Sequence, residues 1–382
     1  MKIPTAVGID RDFWAGRRVL VTGHTGFKGA WLSMWLQALG AEVTGMAPAP
    51  PTSPSLYELA HVGAHMAEHA VDVRDADAVR EVFALAGPQV VLHLAAQPMV
   101  RRSLQEPVLT YAVNVMGTVN VLEAVRAAAP EAEAVIVVTS DKCYEQPPAA
   151  PPGGEAGASG RSRGSGRPFD EGDRLGGADP YSSSKACAEL VTAAYRRTYF
   201  APGEDNGGHG ARLASARAGN VIGGGDWGRD RLVADAARAV EAGEVLRVRS
   251  PDAVRPWQHV LNPLYGYLRL AEELARGAHA ARAWNFGPPA GEARPVSWVV
   301  SRLAELWDGA LRWEVDDRCH PAEAALLAID STAGERDLGW RPAWGLEQGL
   351  RALVHWHQAL REQRDMRAVS LEQIERFSQA IG

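Results

Sequence analysis

Tyr181-Ser-Ser-Ser-Lys185 sets a phenol and an ammonium four residues apart, the spacing that brings two side chains onto one face of a helix. A cation beside a phenol favours the phenolate, so Lys185 is expected to lower the pKa of Tyr181 towards that of a general base. In isolation such a pair is more often a plain exposed Tyr–Lys neighbourhood. A second cluster changes the balance. Thr139-Ser140-Asp141-Lys142-Cys143-Tyr144 follows a run of branched apolar residues and puts a hydroxyl, a carboxyl and another ammonium at the C-terminal end of an expected buried strand, where doubly wound sheets place their ligands. Ser140, Tyr181 and Lys185 would make an alcohol-oxidising centre. Asp141 and Lys142 are surplus to oxidation and supply what an elimination requires, an acid and a base side by side. Lys142 can be a base only if burial or neighbouring cations depress its pKa from about 10.4, and Lys185 would push that way.

Oxidation needs a hydride acceptor. Thr22-Gly23-His-Thr25-Gly26-Phe27-Lys28-Gly29 follows the β-type run Arg18–Thr22 and opens a helical pattern, Trp31 to Leu39, that stops at Gly40. Glycines there allow a tight turn and close approach to a pyrophosphate, whose charge a helix N-terminus stabilises. An acidic residue some 20 positions on would hold the adenosine ribose. Met46-Ala-Pro-Ala-Pro-Pro51 contains none, and no arginine to welcome a 2′-phosphate, so the reading leans to NAD over NADP. Asp72, followed by Val73, is the candidate for the adenine edge, although an Asp at a strand end is more often a turn residue.

These clusters need elements to hold them. From Arg17 to Thr139 short β-rich runs alternate with amphipathic stretches, the signature of βαβ units in a parallel sheet. Strands are expected at Arg18–Thr22, Glu42–Met46, Gln89–Leu94 and Ala134–Thr139, with a long helix through Asn120–Ala128. A second series includes Arg212–Ala216, Glu244–Val248 and Ala283–Phe286 and ends in the helical pattern Leu346–Leu360. The predicted fold is α/β: a doubly wound parallel sheet over 17–216 plus about 256–286, with a second, smaller α/β substrate lobe at the C-terminal side over about 217–255 plus 287–360, then a tail at 361–382. Pro147–Pro168 has no aromatic or branched aliphatic residue and is expected to be a mobile loop.

Bulk properties narrow the function. The 382-residue chain carries a net charge of −6, which argues against a nucleic-acid surface. Cys143, Cys187 and Cys319 fit neither a disulfide framework nor a zinc pattern, and no metal is expected. No run of about 18 apolar residues occurs, and Met1-Lys-Ile-Pro4 lacks a secretory pattern, so a cytoplasmic protein without membrane contact is the expectation.

The glycine turn, His93-Leu94-Ala95-Ala96, Asn114 and Tyr-x-x-x-Lys together resemble the extended short-chain dehydrogenase/reductase family. Ala95-Ala-Gln-Pro98, Asn114-Val-Met-Gly117, Thr139–Tyr144, Ala218-Gly-Asn-Val-Ile-Gly-Gly-Gly-Asp-Trp227 and Arg255-Pro-Trp-Gln-His259 are similar, more narrowly, to its 4,6-dehydratase branch acting on CDP-glucose, over Arg17 to Leu360. Related dTDP-glucose enzymes end the strand in Thr-Asp-Glu; Lys142 in place of that Glu marks the CDP-glucose branch. The resemblance implies NAD held by the turn with Leu94, Ala95, Ala96, Asn114, Thr139, Tyr181 and Lys185. It implies a nucleotide sugar contacted by Gln97 and Arg101, its diphosphate near Asn220 and Arg231, with Arg255 as a clamp and His320 on a substrate-side loop. On chemistry alone Arg231 and Arg255 are as readily surface ion pairs, and a lone His is usually structural. It also implies a homodimer, built as a four-helix bundle from the helices carrying Asn114 and Tyr181–Arg197. The open alternatives are a dTDP- or GDP-sugar dehydratase, a nucleotide-sugar 4-epimerase, which needs only the redox pair, and a catalytically silent NAD-binding regulator.

Overall fold

A computed structural model describes residues 7–145, 167–201, 209–289, 291–316 and 328–382. Seven strands form one sheet: β1 (Arg18–Thr22), β2 (Glu42–Met46), β3 (Ala67–His69), β4 (Val90–His93), β5 (Ala134–Val138), β6 (Arg212–Arg217) and β7 (Ala283–Asn285). Every pair is parallel and the order is β7-β6-β5-β4-β1-β2-β3. β4 and β5 are buried along their whole length, which is why they read as continuous apolar runs. The order reverses between β1 and β4, and that crevice is where an open sheet of this kind holds its ligand.

The expected strands and helices are present, with ends displaced by a residue or two. The helices that matter for the site are α1 (Phe27–Ala38), α2 (Ala76–Ala86), α3 (Gly117–Ala128) and α4 (Pro180–Thr198). α4 begins where it does because Asp179 caps it, accepting from the Ser182 N–H at 2.9 Å, and Pro180 fills the first turn. A π-helical turn, Ala112–Met116, joins Pro107–Tyr111 to α3. The resulting helix, Pro107–Ala128, is by length and composition apolar enough to cross a bilayer, which the absence of a long apolar run did not foretell. Its C-terminal part is core, with Val121, Leu122, Ala124 and Val125 in one cluster with α2 residues and the sheet.

The smaller lobe has its own core. Helices α5 (Leu232–Ala242), α7 (Val296–Leu306) and α8 (Leu346–Arg361) pack around the parallel pair Val245–Val248 and Arg312–Val315. Against β5 and β6 of the sheet packs α6 (Leu261–Arg276), buried on nearly every side. The segment after Glu362, in which the sequence shows no motif, is no loose tail: α9 (Met366–Ala380) docks Val369, Ile374 and Phe377 into the main core against Trp35. Residues 147–166 of the Pro/Gly-rich stretch, Cys319 and His320 lie outside the described residues.

Candidate active site

The glycine turn lies at the switch point. Gly23 has φ +76°, and a Cβ there would stand 2.8 Å from the Ala95 Cα and N; one on Gly29 would stand 2.1 Å from the Gly23 carbonyl oxygen. No side chain fits at either position, so the turn closes on β4 and opens α1 at once. Gly26 caps α1 with no side-chain bond, which leaves the first-turn N–H groups for an anion. Leu94, Ala95 and Ala96 run alongside, the Ala95 N–H donating to Thr22 Oγ1 at 3.1 Å. Thr22 is a brace: its hydroxyl also meets His93 Nδ1 at 2.7 Å, and His93 Nε2 meets Thr118 at 3.1 Å. Thr25 donates to the Pro48 carbonyl at 3.1 Å. Asp72 is held by Arg74 at 2.7 Å on the β3 side, and Val73 packs under Gly117. This cradle fits a dinucleotide.

Several expected ligand contacts are spent internally. The Gln97 amide donates to the Met99 carbonyl and Thr110 and accepts from the Met99 N–H, so its side chain locks the loop after β4. Asn114, in the π turn, accepts from the Gln97 N–H at 2.8 Å and donates to Ser184 on α4 at 2.9 Å; it fastens that loop to the catalytic helix. Thr139 turns its hydroxyl to Glu189.

Where β5 ends, Ser140 caps a single turn, Asp141–Cys143, by accepting from the Lys142 N–H. Ser140 Oγ donates to Asp141 Oδ1 at 3.0 Å, and Ser140 lies close enough to the Tyr181 hydroxyl to draw its pKa down. Tyr181, Ser140 and Asp141 are therefore neighbours. Asp141 is 2% exposed, and its Oδ2 is buried without a partner. A Cβ on Gly219 would lie 1.8 Å from that oxygen, so the backbone after β6 seats the carboxyl directly. Burial pushes Asp141 above the usual carboxylate range, opposed by the charges of Lys142 and Lys28. A proton on Asp141 is favoured there.

The charges differ from expectation in two ways. Burial pushes Tyr181 up to about 12, opposed by Ser140 and by the Arg231 charge, while Lys185 turns its ammonium to the Val138 carbonyl at 3.3 Å. Secondly, burial brings Lys185 and Lys28 down to about 8, and Lys185 bears on Lys28. Lys28 reaches from the glycine turn to the catalytic cluster, its charge acting with those of Asp141, Arg231 and Asp226. The chain has four lysines, Lys2, Lys28, Lys142 and Lys185, against 36 arginines. Three of the four are at this site.

On the lobe side, Asn220 adopts φ +42° and buries its Nδ2 without a partner, the combination of strain and an unspent donor that marks ligand contact. Arg231 pairs with Asp226 at 2.7 Å and faces Tyr181. Arg255 donates to the Val254 carbonyl at 3.0 Å in a strand pair with Arg294 and Pro295. Arg101 crosses from the sheet side to Asp230 at 3.3 Å, which also holds Arg249 at 2.9 Å. Composition and spacing missed Glu189 and Arg217, a buried ion pair beneath the site. The repeat of four from Tyr181 through Lys185 to Glu189 was the signal for the first.

A parallel sheet with a glycine turn at its switch point, and Ser140, Tyr181 and Lys185 at the neighbouring strand end, defines a dinucleotide-binding enzyme of the short-chain dehydrogenase/reductase type. The chain belongs to the NAD dependent epimerase/dehydratase family, whose family model matches residues 19–287. It is 43% identical over 373 residues to the CDP-glucose 4,6-dehydratase of Salmonella typhimurium, covering 97% of this chain and 99% of that one. Among solved structures it is similar to DesIV, the dTDP-glucose 4,6-dehydratase of Streptomyces venezuelae solved with NAD (24% identity, TM-score 0.71, 91% and 98% covered). It is also similar to the UDP-glucose-4-epimerase of Stenotrophomonas maltophila, solved with NAD (20% identity, TM-score 0.74, 91% and 99% covered). At those identities the two structures speak for the fold. NAD is the cofactor that the family and the glycine cradle agree on.

Proposed function

We propose that this protein is a CDP-glucose 4,6-dehydratase, forming CDP-4-keto-6-deoxyglucose and water. The carrying observation is Asp141, a buried carboxyl with one unspent oxygen, set beside Lys142 and hydrogen-bonded to Ser140, which neighbours Tyr181. An epimerase needs the redox pair alone; an elimination needs this second acid and base. The name CDP comes from the full-length relative.

A bound NAD would supply the hydride acceptor for C4 of the glucose and the hydride donor for C6. Tyr181 accepts the O4 proton, aided by Ser140 and Arg231. The resulting 4-ketone acidifies the C5–H, which Lys142 removes while Asp141 gives its proton to O6 and water leaves. Lys142, once its ammonium has exchanged with solvent, then gives a proton to C5. The cycle leaves Tyr181 one proton richer and Asp141 one poorer, and Ser140, bonded to Asp141 and next to Tyr181, lies on the route by which that difference is erased. Asn220 offers its unspent amide to the diphosphate, and Arg231 and Arg255 supply forked guanidinium groups suited to phosphate oxygens.

The dimer belongs to the same reading. Val108, Tyr111 and Met116 on the helix of Asn114 and Leu190 on α4 are large apolar side chains facing solvent, on the two helices that the family resemblance pairs across a two-fold.

The test is incubation with CDP-, dTDP-, UDP- and GDP-glucose in deuterated water. The expected result is a 4-keto-6-deoxy product from CDP-glucose carrying one solvent deuterium at C5. A product without that deuterium would sink the elimination scheme, preferential turnover of another nucleotide would replace the substrate, and a C4 epimer would replace the reaction.

A further inference from the structure

Helix α4 carries a third ionisable group one turn beyond Lys185, and the cycle above does not use it. Glu189 is 2% exposed. Its carboxylate accepts from Arg217 Nη2 at 2.7 Å, from Ser215 Oγ at 2.7 Å and from the Thr139 hydroxyl. Arg217, equally buried, donates from Nη1 to the Tyr144 hydroxyl at 2.8 Å, which in turn donates to Asn285 Oδ1 at 2.7 Å. Its guanidinium lies 4.9 Å from the centre of the Tyr144 ring. This polar knot joins β5, β6 and β7 to the catalytic helix. Buried ion pairs usually contribute no more than apolar residues of the same volume would, so stability is a weak reason for one here.

Its placement gives a better one. Lys185 donates to the Val138 carbonyl, and Glu189 accepts from Thr139, the next residue. Two side chains one helical turn apart therefore hold the two consecutive residues that lead into Ser140. The charged and titratable groups facing Lys185 are Glu189 on its own helix, Cys143 in the turn after β5, His93 on β4 and Lys28 from the glycine turn. Burial keeps Cys143 a neutral thiol and His93 a neutral ring, and Lys28 is a cation. Glu189 is the anion of the set.

We propose that Glu189, with Arg217 as its counter-charge, is a positioning residue for the reaction: it keeps Lys185 protonated and seated against the end of β5, and so maintains the positive charge on the catalytic helix one turn from Tyr181. This rests on the catalytic use of Tyr181 proposed above. Burial pulls Lys185 down to about 8, and Glu189 is the largest influence opposing it. Without that carboxylate the ammonium loses its proton within the neutral range.

Four lysines make the test direct. In the NAD-bound enzyme labelled with ε-13C-lysine, the Lys185 signal, assigned from Lys185→Arg, is titrated in wild type, Glu189→Gln and Glu189→Gln/Arg217→Met. The double variant removes the orphaned guanidinium charge, so it recovers folding lost in the single one. The expected result is a Lys185 midpoint lower by about one pH unit or more in both variants, with the alkaline limb of kcat moving down alongside, while the double variant regains most of the wild-type Tm. A midpoint unchanged in the folded double variant, or a kcat that merely follows Tm, overturns the proposal. The titration needs no substrate, so a protein inert towards every nucleotide sugar would remove the dehydratase reading and still answer for Glu189.

Discussion

Asp141 has neighbours whose chemistry makes its behaviour testable one atom at a time. Gly219→Ala would drive a Cβ to 1.8 Å from its Oδ2. The expected outcome is a fall in kcat of about 10²-fold, the cost of displacing a reacting group by an ångström or so, with the Kd for NAD unchanged by calorimetry. Lys142→Met should lower the rate of C5 deuterium exchange by about 10²–10⁴-fold, the range for losing a general base, and leave NAD binding within a few-fold. Equal loss of both would make Lys142 a structural residue. Ser140, Asp141, Lys142, Tyr181 and Lys185 were legible in the sequence because each is a reactive type at a strand end or at helical spacing. Roles decided by where a side chain points were not. Gln97 and Thr139 carry the right groups at the right height of the sheet, and the fold spends those groups on Met99, Thr110 and Glu189.

At the level of elements, β5 and α4 bring the chemistry together, while β1 and β4 receive the cofactor. Their alternation with helices was legible because fully buried parallel strands read as unbroken branched apolar runs. The helix Met366–Ala380 was not, since its apolar residues match a groove formed by Trp35, Trp344 and Tyr265 that exists only after folding. Buried rings also set how the elements respond to acid. Desolvation holds His93 and His259 neutral in the fold, down to about 3. In the unfolded chain they take up protons below about 6.5, so protons favour unfolding from that pH downward. Between pH 7 and pH 5 each ring should cost about 2 kcal/mol of stability. Urea unfolding at the two pH values checks this: the loss should be smaller by about that amount in His259→Phe, and an equal loss in both proteins would show that His259 is not the source.

For the whole molecule, a second core built on α5, α7 and α8 stands beside the main one, and Arg101 reaches Asp230 at 3.3 Å. The apolar side chains left facing solvent on the Asn114 helix and α4 predict a two-fold dimer. Met116→Glu with Leu190→Glu should halve the mass seen by sedimentation with little change in Tm; a wild type that sediments as one chain would refute the dimer. The uneven use of the two basic residues reaches furthest. A guanidinium cannot release its proton near neutral pH, whereas an ammonium can. Arginine fills nearly every basic position of this chain, and lysine stands where the site gathers. Amine-selective acylation would therefore strike few places besides the catalytic centre. The mass added to the intact chain would report occupancy of that centre by cofactor or substrate, read from protection alone and without following turnover.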